Sequence, residues 1–143
     1  MPEPFLFAAL LLATLALAWR RGGRDEWLAA LALLGGAILT PLAQHRGFAG
    51  PEHGIVLVDI LLFVALTAIA LRSRAFWPLW AAGFQLGALA VHLAAAQMPG
   101  ILPAAYATTL VIWSYPVVVA VLLGTWFEGG SQGPHRAGDR RAR

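Results

Sequence analysis

The feature that most constrains this chain is an unbroken apolar stretch from Phe76 to Ala96, which carries no formal charge when His92 is neutral. About 20 apolar residues in a helix, at ~1.5 Å each, span the ~30 Å hydrocarbon core of a bilayer. The whole chain is 59% hydrophobic and 12% charged, whereas a soluble domain carries about 25% charged residues. The sequence therefore predicts an all-α integral membrane protein surrounded by a lipid bilayer.

Two faces of this stretch differ in character. Gln85 and His92 are seven residues apart, so they would lie on one side of a helix. The opposite side would carry small residues, which allow close approach of another helix. These small residues are Gly83, Gly87, Ala90 and Ala94. Because both faces would then be engaged by protein, we expect this helix at the centre of a bundle.

Four further apolar runs accompany this stretch and together predict a bundle of five transmembrane helices. The spans cover about 4–19, 27–43, 54–71, 76–96 and 101–127, which makes residues 1–128 the transmembrane domain. Pro116 lies inside the last span and should kink it near Ser114, whose hydroxyl could satisfy a freed carbonyl. Residues 129–143 are rich in Gly and Arg and lack apolar periodicity, which predicts a disordered, Arg-rich cytoplasmic tail.

The basic residues indicate the orientation of the spans. All ten are arginines, and five spans with the N-terminus outside place nine in the cytoplasm and only Arg46 outside. Such an asymmetry is the positive-inside pattern and predicts N-terminus out and C-terminus in. The first span could instead be a signal peptide, but its arginines follow the apolar run rather than precede it. Five tryptophans near the predicted cytoplasmic boundary are expected to anchor at the lipid interface: Trp19, Trp27, Trp77, Trp80 and Trp126.

Several functional classes are disfavoured by composition and motif content. The chain has no cysteine, which excludes disulfides and Cys-based metal sites. Its pI near 10.6 does not indicate nucleic-acid binding, because the arginines flank apolar runs as juxtamembrane anchors do. GxSxG, P-loop and Rossmann motifs are missing from the sequence. We therefore predict no catalytic residues, no metal and no cofactor.

Asp59 and His92 form a candidate ligand or proton pair. At ~1.5 Å per residue, both lie ~6–8 Å inside the predicted outer ends of their spans. A charged Asp in a spanning helix costs ~2.5–3.5 kcal/mol, so it needs a partner. We expect the two side chains on the same buried side and within hydrogen-bonding reach. The pair could be a structural link between helices, or a site that takes up protons or a ligand.

Further polar residues are predicted around this pair, where they would form an outward-facing vestibule. The candidates are Gln44, His45, Glu52, His53, Gln85 and Tyr106. Some of these side chains are of the types that bind zinc or copper. Their spacing matches no metal-binding motif, so the vestibule is predicted without a metal.

Four short segments carry a resemblance to a known group of proteins. They are FWPLWAAGFQL (76–86), HL (92–93), AYA (105–107) and WSYP (113–116). These segments resemble those of small, uncharacterised multi-pass membrane proteins of alphaproteobacteria. The resemblance implies a location in the bacterial inner membrane and transfers no active site.

Three hypotheses for function follow from these patterns. The first is a small inner-membrane protein without catalytic machinery, an accessory or assembly partner that contacts a membrane protein or a second copy of itself. The second is a small transporter or channel with the vestibule around Asp59 and His92. The third is a membrane enzyme or metalloprotein. A transporter needs a polar path leading inward from Asp59, whereas an accessory subunit needs only a smooth apolar face.

Overall fold

The computed structural model describes residues 3–44, 52–98, 100 and 102–128. The regular elements in these ranges are α-helices, one for each predicted apolar run, which confirms the all-helical fold class for the described residues. They are α1 (Glu3–Arg21), α2 (Arg24–Ala43), α3 (His53–Arg72), α4 (Trp77–Gln97) and α5 (Pro103–Glu128). The predicted tail 129–143 lies outside the described residues.

Four helices, α2 to α5, are long and apolar enough to cross a membrane, judged by length and composition. Between 17% and 33% of the residues in their apolar windows are buried, so most of this apolar surface faces outward. Leu42 and Leu71, for example, are 70% and 81% exposed. Soluble proteins rarely expose contiguous apolar patches beyond a few hundred Å². A multi-pass membrane protein is the class that accounts for such a surface.

Local sequence signals fix where the helices begin and end. The backbone N–H of Gly23 donates to Glu26 Oε2 at 2.9 Å, which satisfies an otherwise orphaned donor ahead of α2. Arg21 and Arg72 lie in the last turns of α1 and α3, where the helix dipole favours a cation. Pro78 lies in the first turn of α4, where its missing N–H costs little. The connections after α1 and α3 are short, residues 22–23 and 73–76. Each joins two antiparallel neighbours.

The helices form a ring in chain order, because α1 packs against α5 as well as against α2. We call the end where α1, α3 and α5 begin the Asp59 end, and the opposite end the Arg end. At the Arg end, the Arg21 guanidinium lies 5.0 Å from the centre of the Trp126 ring, a cation–π contact between α1 and α5. Phe7 and Tyr115 meet edge to face farther along these two helices, with ring centroids 5.8 Å apart. These contacts close the ring.

The buried apolar core fills the half of the bundle nearer the Arg end. Its members are Leu11, Ala29, Leu33, Leu66, Ile69, Trp77, Ala81, Ala82, Val117, Val118 and Val121. Trp77 was predicted to anchor at the lipid interface, and this prediction is wrong because the side chain is only 5% exposed. Its ring packs directly on α5 at Gly124, where an added Cβ would overlap the ring. Trp19, Trp80 and Trp126 are exposed as expected.

Helix α4 presents its polar face to the bundle interior and most of the predicted small-residue face to the outside. Gln85 and His92 are buried, as predicted. Gly83, Ala90 and Ala94 are exposed, so the expectation that they pack against another helix of the bundle is wrong. Polar side chains are costly to leave in an apolar environment, and this cost outweighs the gain from packing the opposite face of α4 inside. Gly87 alone of the four lies against another helix.

We expect Gly87→Leu to destabilise the bundle and Gly83→Leu to leave its stability nearly unchanged. A Cβ at Gly87 would lie 2.5 Å from ring atoms of Trp113, whereas a Cβ at Gly83 would meet nothing within 4 Å. Overpacking of this kind costs ~1–3 kcal/mol. Thermal unfolding of both variants in the same detergent measures the difference. Equal melting temperatures for the two variants would contradict the packing of Trp113 on α4.

Candidate functional site

The Asp59 carboxylate is the centre of a hydrogen-bonded network between α3 and α4. His92 Nε2 lies 2.7 Å from Asp59 Oδ2, and Gln85 Nε2 donates to Asp59 Oδ1 at 2.9 Å. Both partners lie on the same face of α4 because they are seven residues, about two turns, apart. The predicted contact between Asp59 and His92 is therefore present. Gln85 was expected only in the surrounding vestibule, and it instead binds the carboxylate directly.

Tyr106 extends this network to α5. Its hydroxyl lies 2.5 Å from His92 Nδ1, and the Glu52 backbone also hydrogen-bonds this hydroxyl. Tyr106 is fully buried and Glu52 is 1% exposed, so this part of the network is shielded from solvent. The first turn of α5 is thereby tied to the N-terminal cap of α3 and to the last turns of α4.

A neutral His92 fits these contacts with each donor facing an acceptor. In that tautomer Tyr106 donates its proton to Nδ1, and the Nε2–H group donates to the Asp59 carboxylate. The assignment rests on Asp59, because a carboxylate only accepts; Nδ1 of a neutral His92 is then an acceptor, and the Tyr106 hydroxyl, which can donate or accept, donates to it. The Asp59 carboxylate then accepts hydrogen bonds from both His92 and Gln85.

The hydrogen bonds are strong enough to hold a charged Asp59 in a spanning helix. A charged Asp costs ~2.5–3.5 kcal/mol at such a position. Each hydrogen bond to a charged group contributes ~1.5–3 kcal/mol, and Asp59 accepts two from side chains of α4. Burial is unequal within the pair, since the side chain of His92 is 3% exposed and that of Asp59 is 18% exposed. The Asp59 side chain is therefore only partly enclosed.

Asp59 lines a cavity of about 720 Å³ to which all five helices contribute residues. Most of its walls are aliphatic or aromatic, and the polar lining residues are Thr40, Gln44, Asp59, Gln85 and Ser114. The cavity occupies the half of the bundle nearer the Asp59 end. Leu33, Val117 and Val118 line it as well and belong to the apolar core, so the core closes it toward the Arg end.

The predicted vestibule residues differ in exposure and location in the structure. Gln44 is exposed and lines the cavity. His53 is exposed on the first turn of α3, whereas Glu52 caps that helix and is buried. His45 lies outside the described residues. Within the described ranges, no three His, Cys, Asp or Glu side chains come together as a metal site would require.

Two further polar residues define how the cavity wall is built on α2 and α5. Ser114 Oγ donates to the Val111 carbonyl at 2.7 Å. Pro116 follows shortly after, and α5 continues through that proline. The hydroxyl thus satisfies a neighbouring carbonyl, although not the one directly opposite Pro116. Sequence reasoning missed Thr40, which precedes Pro41 on α2. A hydroxyl beside a proline in a spanning helix was the available signal.

Comparison of the chain with protein-family models, curated proteins and solved structures finds no match. The site is therefore interpreted from its own chemistry. The network holds an imidazole between a phenol and a carboxylate, and Asp59 lines a mainly apolar cavity.

We expect Asp59→Asn and Tyr106→Phe to be coupled in their effects on stability, although these two side chains are joined only through His92. Residues of one hydrogen-bonded network show interaction free energies of ~0.5–3 kcal/mol. The free energy of unfolding of both single variants and the double variant, measured in mixed micelles, gives the coupling.

Tyr115→Phe provides the matched control for this cycle, because it removes the same hydroxyl from the same helix. Tyr115 lies about 13 Å farther along α5, at ~1.5 Å per residue, and contacts Phe7. We expect its effect to add to that of Asp59→Asn within ~0.3–0.5 kcal/mol. Additivity in both cycles would mean that His92 does not connect Tyr106 to Asp59.

Proposed function

We propose that this chain is a five-span inner-membrane protein that binds a small molecule in the cavity beside Asp59. The observation that carries the proposal is the partly exposed Asp59 side chain on the wall of a cavity that all five helices line. Ligand pockets in proteins commonly measure about 300–1,000 Å³ and combine apolar walls with a few placed polar groups. The cavity of about 720 Å³ has both properties.

The shape of the cavity favours a binding vestibule over an open channel. A continuous pore needs a polar path through the whole bundle, and Gln85 and Ser114 extend the polar wall only toward the middle. Beyond them, the apolar side chains of Leu33, Val117 and Val118 fill the interior. A transporter of this construction must change shape to release its ligand toward the Arg end. Without such a change, the protein binds and presents its ligand at one side only.

The proposed topology has five spans, with the N-terminus outside and the cytoplasm at the Arg end. Two observations favour α1 as the fifth span. This helix closes the ring against α5, and it supplies Phe7, Ala8 and Leu11 to the cavity wall. The positive-inside distribution of the arginines supports the orientation. The cavity then lies in the half of the bundle away from the cytoplasm, and the resemblance to alphaproteobacterial proteins favours the bacterial inner membrane.

A second candidate function is that of an accessory or assembly partner. The outward face of α4 alternates large and small exposed residues: Leu79, Gly83, Leu86, Ala90 and Leu93. Such a face allows a helix of another protein, or of a second copy, to approach closely. Small residues facing outward favour this candidate, but the Asp59 network plays no part in it. We therefore place ligand binding first.

Cysteine labelling tests the proposed cavity directly, because the natural chain contains no cysteine. We expect a water-soluble thiol reagent to modify Ala107→Cys and Ser114→Cys, since both positions line the cavity and thiolates form only where water reaches. Ala90→Cys is the matched control, because this alanine is exposed on the outside of the bundle and would face lipid. Labelling of intact cells with a membrane-impermeant reagent measures the three rates. Cavity variants as unreactive as Ala90→Cys would overturn the proposal.

The topology has a separate test. A reporter that is active only in the cytoplasm should be active when it is fused after Arg143, because the positive-inside distribution places the C-terminus there. The control is the same reporter fused after Met98, at the end of α4, which the proposed topology places outside. Activity of a strictly periplasmic reporter after Arg143 would contradict five spans with the N-terminus outside.

A further inference from the structure

We infer that the cavity selects organic cations, meaning a protonated amine or quaternary ammonium group carried on an apolar body, and that Asp59 is the residue that selects them. The inference rests on the proposed function, because it assigns a ligand class to the proposed cavity. Its evidence is the direction of the hydrogen bonds around Asp59, the charges on the cavity wall and the size of the apolar space.

The hydrogen bonds leave Asp59 able to accept a further donor. Each carboxylate oxygen has two lone-pair sites, and each accepts one side-chain donor of α4, His92 Nε2 on Oδ2 and Gln85 Nε2 on Oδ1. The side chain of Asp59 remains 18% exposed, and Asp59 lines the cavity. A ligand N–H or ammonium group therefore has an acceptor with free lone pairs, already fixed in position by two hydrogen bonds.

The ionisable charge on the described part of the cavity wall is negative. Asp59 is the only ionisable residue among the residues that line the cavity in the described part of the chain. Apolar walls exclude water and strengthen the field of a charge compared with its field in bulk water. The cavity should consequently attract cations and repel anions of the same size.

The lining also distinguishes an organic cation from a metal ion. Calcium and magnesium require about six oxygen ligands, whereas the polar lining residues are spread over α2, α3, α4 and α5 among a larger number of apolar ones. Phe7, Leu11, Ile55 and Leu62 offer contact to a hydrocarbon or ring system. An ammonium group at Asp59 with its apolar part against these side chains uses both kinds of wall.

The first experiment compares two thiol reagents of similar size and opposite charge on Ala107→Cys. These are the trimethylammonium-ethyl and sulfonato-ethyl methanethiosulfonates, with rates normalised to those of a small free thiol. We expect the cationic reagent to react about tenfold faster than the anionic one, as one charge within several Å would produce. In Asp59→Asn/Ala107→Cys the ratio should fall to near one, because the amide keeps the shape and removes the charge. A ratio near one already in Ala107→Cys would overturn the inference.

The second experiment uses a matched pair of reversible probes on Ala107→Cys and does not depend on the folding of an Asp59 variant. Adamantan-1-amine is protonated at neutral pH, and adamantan-1-ol has nearly the same shape without the charge. We expect the amine to slow labelling by an uncharged maleimide at a concentration about tenfold lower than the alcohol requires.

The outcomes separate the inference from the proposed function. Equal protection by the two probes would overturn cation selection while leaving the cavity as a binding site. Stronger protection by the alcohol would assign the site to neutral ligands and also overturn the inference. If Ala107→Cys reacts with no reagent, the proposed function fails together with the inference.

Discussion

The arrangement of this bundle depends on one requirement, that a carboxylate near the Asp59 end of α3 must have hydrogen-bond donors. Asp59 takes them from Gln85 and His92, which fixes the rotation of α4 about its own axis. His92 in turn contacts Tyr106 and so fixes the first turns of α5. The same rotation turns Gly83 and Ala90 outward. Three helices are thus placed by one polar network, because leaving any of its members without a partner in lipid would cost several kcal/mol, on the order of 2–7.

The interior is divided between this network and the apolar core. Toward the Arg end, aliphatic side chains and Trp77 fill the bundle, and dispersion and close packing hold the helices together there. Toward the Asp59 end, hydrogen bonds hold α3, α4 and α5, and the space beside them is left as a cavity. The division gives the molecule one half that is packed and one half able to take up a ligand, with Asp59 at the boundary of the open space.

Much of the site could be predicted from spacing and depth. Asp59 and His92 lie at similar depths on neighbouring antiparallel helices, and a buried charge requires a partner, so their contact followed from the sequence. The role of Tyr106 did not follow, because several polar residues had similar predicted depths and only the rotation of α5 selects among them. Trp77 was misplaced for a related reason. An aromatic residue at a helix end favours the lipid interface on average, and a glycine on the facing helix was needed to see that this ring is buried.

The sequence by itself determined the helical class, the approximate bounds of the five helices and the polar character of one face of α4, because these depend on local hydrophobicity and on the period of the helix. Tertiary structure decided which helices are neighbours, which residues donate to Asp59 and where a cavity remains. It also decided that Gly87 meets Trp113 while Gly83 faces outward. These outcomes depend on how side chains from distant parts of the chain fill a shared volume, and no local pattern contains that information.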